Sequence, residues 1–311
     1  MNAALALLQA LFAATLAVTP VNGPIPKVGS GKIVHVDSFP SAHVPRRALD
    51  IWVPADYPAA APYAVLYMHD GQMLFDADLT WNHQEWRADE VAGKLIAGGT
   101  VRPFIIVGIA NGGAARHSEY FPQQPFESLT PAQQEAQYAQ FRDGGQALYS
   151  GKVYSDRYLE FLVSELKPYI DRRFRVSPRR EDTFVLGSSM GGLISLYALA
   201  RYPQVFGGAA CLSTHWPGDL APEPGPAAAA LLDWFGRNLP PAGSHRIYFD
   251  HGTGTLDARY PALQRQVDAF MRAKGYTAAD WQTRVFPGAI HDEAAWAARL
   301  DVPLGFLFAR P

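Results

Sequence analysis

The sequence predicts an α/β fold: a mostly parallel central sheet of about eight strands with helices on both faces. Three observations predict it. The chain has 311 residues, 48% apolar and only 18% charged, so it can bury a large core and does not read as disordered. Short apolar runs of strand length alternate with helical patterns along it. The central runs are apolar throughout, as in parallel strands covered on both faces.

Each element can be justified in order. Residues 33–37 (IVHVD) and 49–53 (LDIWV) alternate in character, which suits half-buried antiparallel strands. Residues 63–69 (YAVLYMH) and 104–110 (FIIVGIA) are more uniformly apolar, as are 183–186 (TFVL), 207–212 (GGAACL) and 246–250 (RIYFD). Residues 283–286 (TRVF) close the set. Helical patterns lie between them at 86–97, 155–172, 192–201, 258–274 and 292–308. The clearest is 155–172, where Leu159, Leu162, Leu166 and Ile170 recur at helical steps and Ser155 is the expected N-cap. Two stretches break the alternation: 114–154, polar and Gln-rich, and 213–244, rich in proline with an alanine run. Long excursions in such folds are often binding loops or lids, and 114–154 is expected to be either a lid or a surface insertion.

Residues 3–18 are almost wholly apolar. The run is shorter than the ~20 residues of a membrane span and has the length of a signal-peptide core, although no Lys or Arg precedes it. We therefore expect 1–23 to be a leader and 24–311 a single domain, located in the periplasm or outside the cell. The cytoplasmic alternative makes the apolar run an N-terminal helix or the product of a mis-called start codon. Lys plus Arg (27) against Asp plus Glu (29) gives a net charge of −2, so there is no basic field for nucleic acid. The one cysteine, Cys211, excludes a disulfide framework and falls on an apolar strand, where a buried, inert thiol is expected.

Gly187-Ser188-Ser189-Met190-Gly191 reads G-x-S-x-G, with a strand before it and a helix after it. That context makes Ser189 a candidate nucleophile on a sharp turn, with the Met190 N–H at a helix N-terminus where it can stabilise an oxyanion. Ser188 points elsewhere on such a turn, and Ser195 falls inside the helix. A serine nucleophile needs a base and an orienting acid, which in this architecture follow it in the order acid, then histidine. His291, between the last strand and the last helix, is the candidate base. His215, beside Trp216, could line the pocket; His251 suits packing or the surface, and His245 should be exposed. Asp257, after the 246–250 strand, is the candidate acid, with Asp250 as its rival. Asp268 and Asp280 read as helix-surface and turn residues. In the loop after the third strand, Gly71 lets the chain turn so that the Gln72 amide becomes a second oxyanion donor. Trp81, His83, Trp86, His117, Tyr120 and Trp216 fall in loops near the cleft mouth, where aromatic faces suit sugar rings or aryl groups; the substrate-binding set drawn from them is Trp81, His117, Tyr120 and Trp216. Arg116 and Glu119 are expected to pair with each other.

These motifs together resemble the putative-esterase (esterase D-like) family of α/β-hydrolases. That family includes feruloyl and acetylxylan esterases of carbohydrate esterase family 1, siderophore esterases, S-formylglutathione hydrolases and mycolyltransferases. The resemblance runs from about residue 30 onward. It rests on Arg47–Pro54 (RALDIWVP), Met68–Phe75 (MHDGQMLF), Ile106–Tyr120 with Arg116, Glu119 and Tyr120, Leu166–Arg173 (LKPYIDRR), Gly187–Gly192 (GSSMGG) and Gly288–Trp296. It implies the α/β-hydrolase fold, with Ser189 as nucleophile, His291 as base, Asp257 as acid, and the Gln72 and Met190 amides as the oxyanion hole. It implies no metal and no organic cofactor. Formylglutathione hydrolases usually carry histidines just before and soon after the nucleophile. Ser188 and the residues from Leu193 onward do not match, which disfavours a cytosolic thioester hydrolase. The expected activity is hydrolysis of a small or carbohydrate-linked carboxylic ester. The alternatives are an acyltransferase using an alcohol in place of water, and a non-catalytic ligand-binding protein on this scaffold. Nothing in the sequence bears on oligomeric state.

Overall fold

A computed structural model describes residues 23–142, 144–221 and 223–310. The expected leader at 1–23 lies outside the described residues except for its last position. Eight strands form one sheet in the order β1-β2-β4-β3-β5-β6-β7-β8. The strands are β1 (Lys32–Phe39), β2 (Arg47–Val53), β3 (Ala64–His69), β4 (Phe104–Ile109), β5 (Thr183–Ser188), β6 (Gly208–Leu212), β7 (Arg246–Gly252) and β8 (Trp281–Phe286). β1–β2 and β2–β4 pair antiparallel; every other pair is parallel.

The uniform apolarity of the central strands has a direct cause, since their alternate residues feed two separate cores. Val65 and Tyr67 of β3 join one cluster, with Ile105 and Val107 of β4. Leu66 and Met68 join the other, with Phe104 and Ile106. The first core is covered by the helical segment 155–173 and by α6 (Met190–Arg201), α7 (Pro226–Asn238) and α8 (Pro261–Ala273); the second by α1 (Ala88–Ala97) and α10 (Asp301–Leu307). Burial on both faces is the arrangement that parallel strands require.

Several local expectations are corrected. β2 is buried along its length rather than half-exposed. The polar residues that make it look alternating are paired: Arg47 with Glu119, and Asp50 with His35 at 2.6 Å. Ser155 does not cap its own helix; its hydroxyl accepts from the Gln123 N–H at 2.9 Å, tying that helix (α5) to the preceding excursion. α5 also carries a π-turn at Phe161–Leu166. The 292–308 pattern breaks into α9 (Glu293–Ala297) and α10, with Asp292 capping the first through the Ala295 N–H. The 114–154 stretch contains α2 (Arg116–Tyr120), α3 (Gln123–Glu127) and α4 (Pro131–Tyr138), and 213–244 contains α7. Among the described residues no helix is long and apolar enough to cross a membrane.

Candidate active site

The carboxyl ends of β3, β5, β6 and β7 meet at one cleft, where open α/β sheets commonly bind ligands. At the end of β5 the chain reverses into α6 through Ser189, whose φ is 56° and ψ −121°. A non-glycine residue rarely adopts that conformation, and it persists only where its surroundings hold it. Here the Ser189 N–H donates to Leu212 O at 2.9 Å, and its carbonyl accepts from Gly192 and Leu193 at 3.0 and 3.2 Å. Gly187 makes the turn possible, because a Cβ there would lie 2.6 Å from the Gly191 carbonyl oxygen. The sequence signature and the backbone geometry therefore have one steric origin.

The backbone amides of Met190, at the N-terminus of α6, and of Gln72, in the short turn after β3, have no acceptor among the described residues. Both residues line the same cavity as Ser189. The Gln72 turn is built by Asp70, itself at φ 57°. The Asp70 carboxylate receives two bonds from Arg116 (2.6 and 2.7 Å) and one from Asn111 (2.6 Å). Burial pushes the Asp70 carboxyl up, but these partners outweigh it and hold it below its ordinary value. Gly71 passes so close to β4 that a Cβ would meet Ile109 N at 2.4 Å.

The third part lies beyond β7. Asp257, fully buried in the turn Thr255–Arg259, bonds His291 Nδ1 at 2.6 Å. Its other oxygen accepts from the Ser213 hydroxyl and the Gly252 N–H, each at 2.6 Å. Burial raises the Asp257 carboxyl, and the bonds from His291 and Ser213 more than reverse this, leaving it below its ordinary value. His291 is packed edge-on against Trp296 and Tyr260. It lines the cleft with Ser189; among the described residues no hydrogen bond joins the two. Hydroxyl–imidazole bonds of this type are often loose before substrate binds.

Asp250 plays a different structural part. It does not reach His291. Its carboxylate faces Arg299 (3.1 and 3.2 Å), the Tyr248 hydroxyl and the Ser213 N–H. Arg299 and the Trp296 indole N–H both donate to the Ser213 hydroxyl, which then has its proton free for Asp257. Ser213, Trp296 and Arg299 were not singled out as site residues from sequence. The one available signal was Trp296 in the motif following His291.

The other residues sort clearly. The cavity, about 740 Å³, is lined by Trp81, Trp86, His117 and His215. Tyr120 and Trp216 do not line it. Tyr120 is fully buried beneath Asp70, against His69 and Tyr158. Trp216 is core: its indole N–H donates to Gln264 at 2.8 Å and its ring packs on Phe235 and Phe249. His83 is also absent from the lining. Arg116 and Glu119 do not pair, since Arg116 reaches Asp70 and Glu119 reaches Arg47. His245 is buried, bonded to Ser244 and the Pro203 carbonyl. Ser195 is buried and donates to Gly191 O at 2.7 Å. Cys211 is buried, and burial pushes its thiol well up. His215 donates Nε2–H to the Asp219 carbonyl, which leaves Nδ1 to accept from the Tyr260 hydroxyl. Burial pushes His215 down to about 3, so it is neutral at physiological pH.

Comparison with known proteins bears on the fold and the family. A curated relative, the uncharacterized protein YbbA of Bacillus subtilis (strain 168), is 20% identical over 272 residues, covering 85% of this chain and 93% of that one. Among solved structures, a CE1 ferulic acid esterase from Anaeromyces mucronatus superposes with a TM-score of 0.60 at 18% identity, covering 94% of this chain and 92% of that one. The enterobactin esterase FES from Shigella flexneri gives 0.62 at 19% identity, covering 91% of this chain and 61% of that one. The fold is thus that of the α/β-hydrolase esterases. The model of the family described as "Putative esterase" matches residues 45–307, and the chain belongs to that family of ester-hydrolysing enzymes.

Proposed function

We propose that the protein is a serine carboxylic-ester hydrolase working through an acyl-enzyme. One observation carries the reading: a buried Asp257–His291 pair, bonded at 2.6 Å, shares a cleft with a serine on a strained elbow and with two unengaged amides. Ser189 attacks the ester carbonyl while His291 Nε2 takes its proton. Asp257 holds Nδ1–H, fixing the tautomer and stabilising the imidazolium that forms. The Gln72 and Met190 N–H groups bind the oxyanion, where preformed dipoles are most effective. His291 then passes the proton to the leaving alcohol, activates a water, and the acyl group leaves Ser189.

The substrate is a small or carbohydrate-linked ester. Trp81, 82% exposed at the rim, and Trp86 within the cleft supply aromatic faces for a sugar ring or an aryl acyl group. The apolar segment in 1–23 carries the companion proposal of export, checked by N-terminal sequencing of protein recovered from outside the cytoplasm. The central test is fluorophosphonate labelling mapped by mass spectrometry, beside p-nitrophenyl acetate hydrolysis. Label on Ser189, and loss of both signals in a folded Ser189→Ala variant, is the expected result. A folded wild type that takes no label and hydrolyses nothing overturns the reading in favour of a binding protein.

A further inference from the structure

We propose that the cleft selects esters bearing an anionic oxygen group, a carboxylate or a phosphate, and that Arg142 binds that group. The inference rests on the serine-esterase reading and names the substrate class for the same site.

The 114–154 excursion contributes Arg116, His117 and Arg142 to the cleft lining. Only one of the three offers a net positive charge to a ligand. Arg116 spends its guanidinium on Asp70. Burial, then His215, Arg142 and Arg116, push His117 well below its ordinary value, so its ring is neutral. Neighbouring His215 is neutral for the same reason. Arg142 remains. Among the described residues it forms no ion pair; burial, and after it the charge of Arg116, push its guanidinium below its ordinary value. Glu293, which also lines the cleft, acts on Arg116 instead and accepts from Asn82 at 2.8 Å. Asp292 is occupied as the cap of α9.

A guanidinium that lines the cleft with a second one, and that no carboxylate among the described residues pairs with, is in a field that an anion relieves. It is also the side chain best shaped to grip carboxylate or phosphate oxygens in two parallel bonds. The backbone that carries it is anchored: Arg142 N–H donates to Gln146 O at 2.8 Å, and Phe141 bridges Ala147. The same wall holds a second unmet group. The buried Nε2 of His117 has no hydrogen-bond partner among the described residues. Unsatisfied buried polar atoms are rare enough to call for a ligand or an ordered water.

The test uses three p-nitrophenyl esters of one chain length: the suberate monoester, its neutral methyl ester, and an ω-phosphonooxy-octanoate. Wild type, Arg142→Gln and Arg142→Lys are compared, with folding checked by circular dichroism. Wild type is expected to favour an anionic ester, through KM, and to lose that preference as salt is added. Arg142→Gln should lower the anionic-to-neutral ratio of kcat/KM by about tenfold to a hundredfold, the usual worth of a charged hydrogen bond, and Arg142→Lys should restore part of it. Preference for one anionic ester over the other assigns the group. An equal ratio in wild type and Arg142→Gln overturns the inference while leaving the esterase reading intact. Failure of wild type on all three esters overturns that reading itself.

Discussion

Asp250 and Asp257 stand at the same end of β7, both buried, yet they titrate in opposite directions. Burial raises Asp250, and Arg299, Ser213 and Tyr248 do not fully compensate, so it stays above its ordinary value. The same penalty acts on Asp257, but His291, Ser213 and Gly252 overturn it. Burial therefore does not assign a role to either carboxylate. What separates them is the partner set. Asp257 meets an imidazole that faces the cleft; Asp250 meets a guanidinium that faces inward. Ser213 joins the two, giving its N–H to one and its hydroxyl to the other.

The largest effect that sharpens this contrast is on turnover. Asp257→Asn should lower kcat by about 10⁴-fold, because the amide favours the wrong tautomer of His291. Steady-state hydrolysis of p-nitrophenyl acetate measures it, and a loss smaller than tenfold would break the contrast. Ser213→Ala should come next. It removes one hydrogen bond to an ionised carboxylate, a loss of about tenfold to a hundredfold in kcat; the same assay applies, and an unaltered kcat argues against a part for the Ser213 hydroxyl in holding Asp257. Asp250→Asn should have the smallest catalytic effect, within about tenfold, and act instead on stability. Leaving Arg299 with only the more distant Asp257, at 3.9 Å, as counter-charge costs about 2 kcal/mol in urea unfolding.

The two carboxylates also predict opposite responses to acid. A lowered folded pKa stabilises above the unfolded value and is lost as pH falls through the folded one. The stability advantage of wild type over Asp257→Asn should therefore shrink in acid. A raised folded pKa contributes stability below the unfolded value that is lost as pH rises through the folded one. The advantage of wild type over Asp250→Asn should accordingly grow in acid. Urea titrations of the three proteins from neutral to acidic pH decide it, and slopes of the same sign would defeat the comparison.

What was legible in the sequence follows the range of the interactions. The elbow is local: Gly187, Ser189 and Gly191 meet within one turn, so their spacing carries their geometry. The sheet was legible because two-sided burial leaves a continuous apolar run. The supporting pairs were not, because their partners are remote in the chain. Arg116 and Glu119 look matched on one helical turn, but Arg116 finds the Asp70 carboxylate in the turn after β3 and Glu119 the Arg47 guanidinium on β2. Arg299 reaches Ser213 and Asp250 from the far end of the chain. Trp216 misled for a simpler reason: adjacent side chains here face opposite ways, so His215 lines the cleft while its neighbour enters the core.

Trp81 has one more consequence. At 82% exposure it stands apart from the buried Trp52, Trp86, Trp216 and Trp296. An indole in water emits at longer wavelength than one in a core, so the rim residue contributes to the red side of the protein's intrinsic fluorescence. A ligand laid across it would shift that emission toward the blue. The cleft thus carries its own optical reporter of occupancy, readable without turnover.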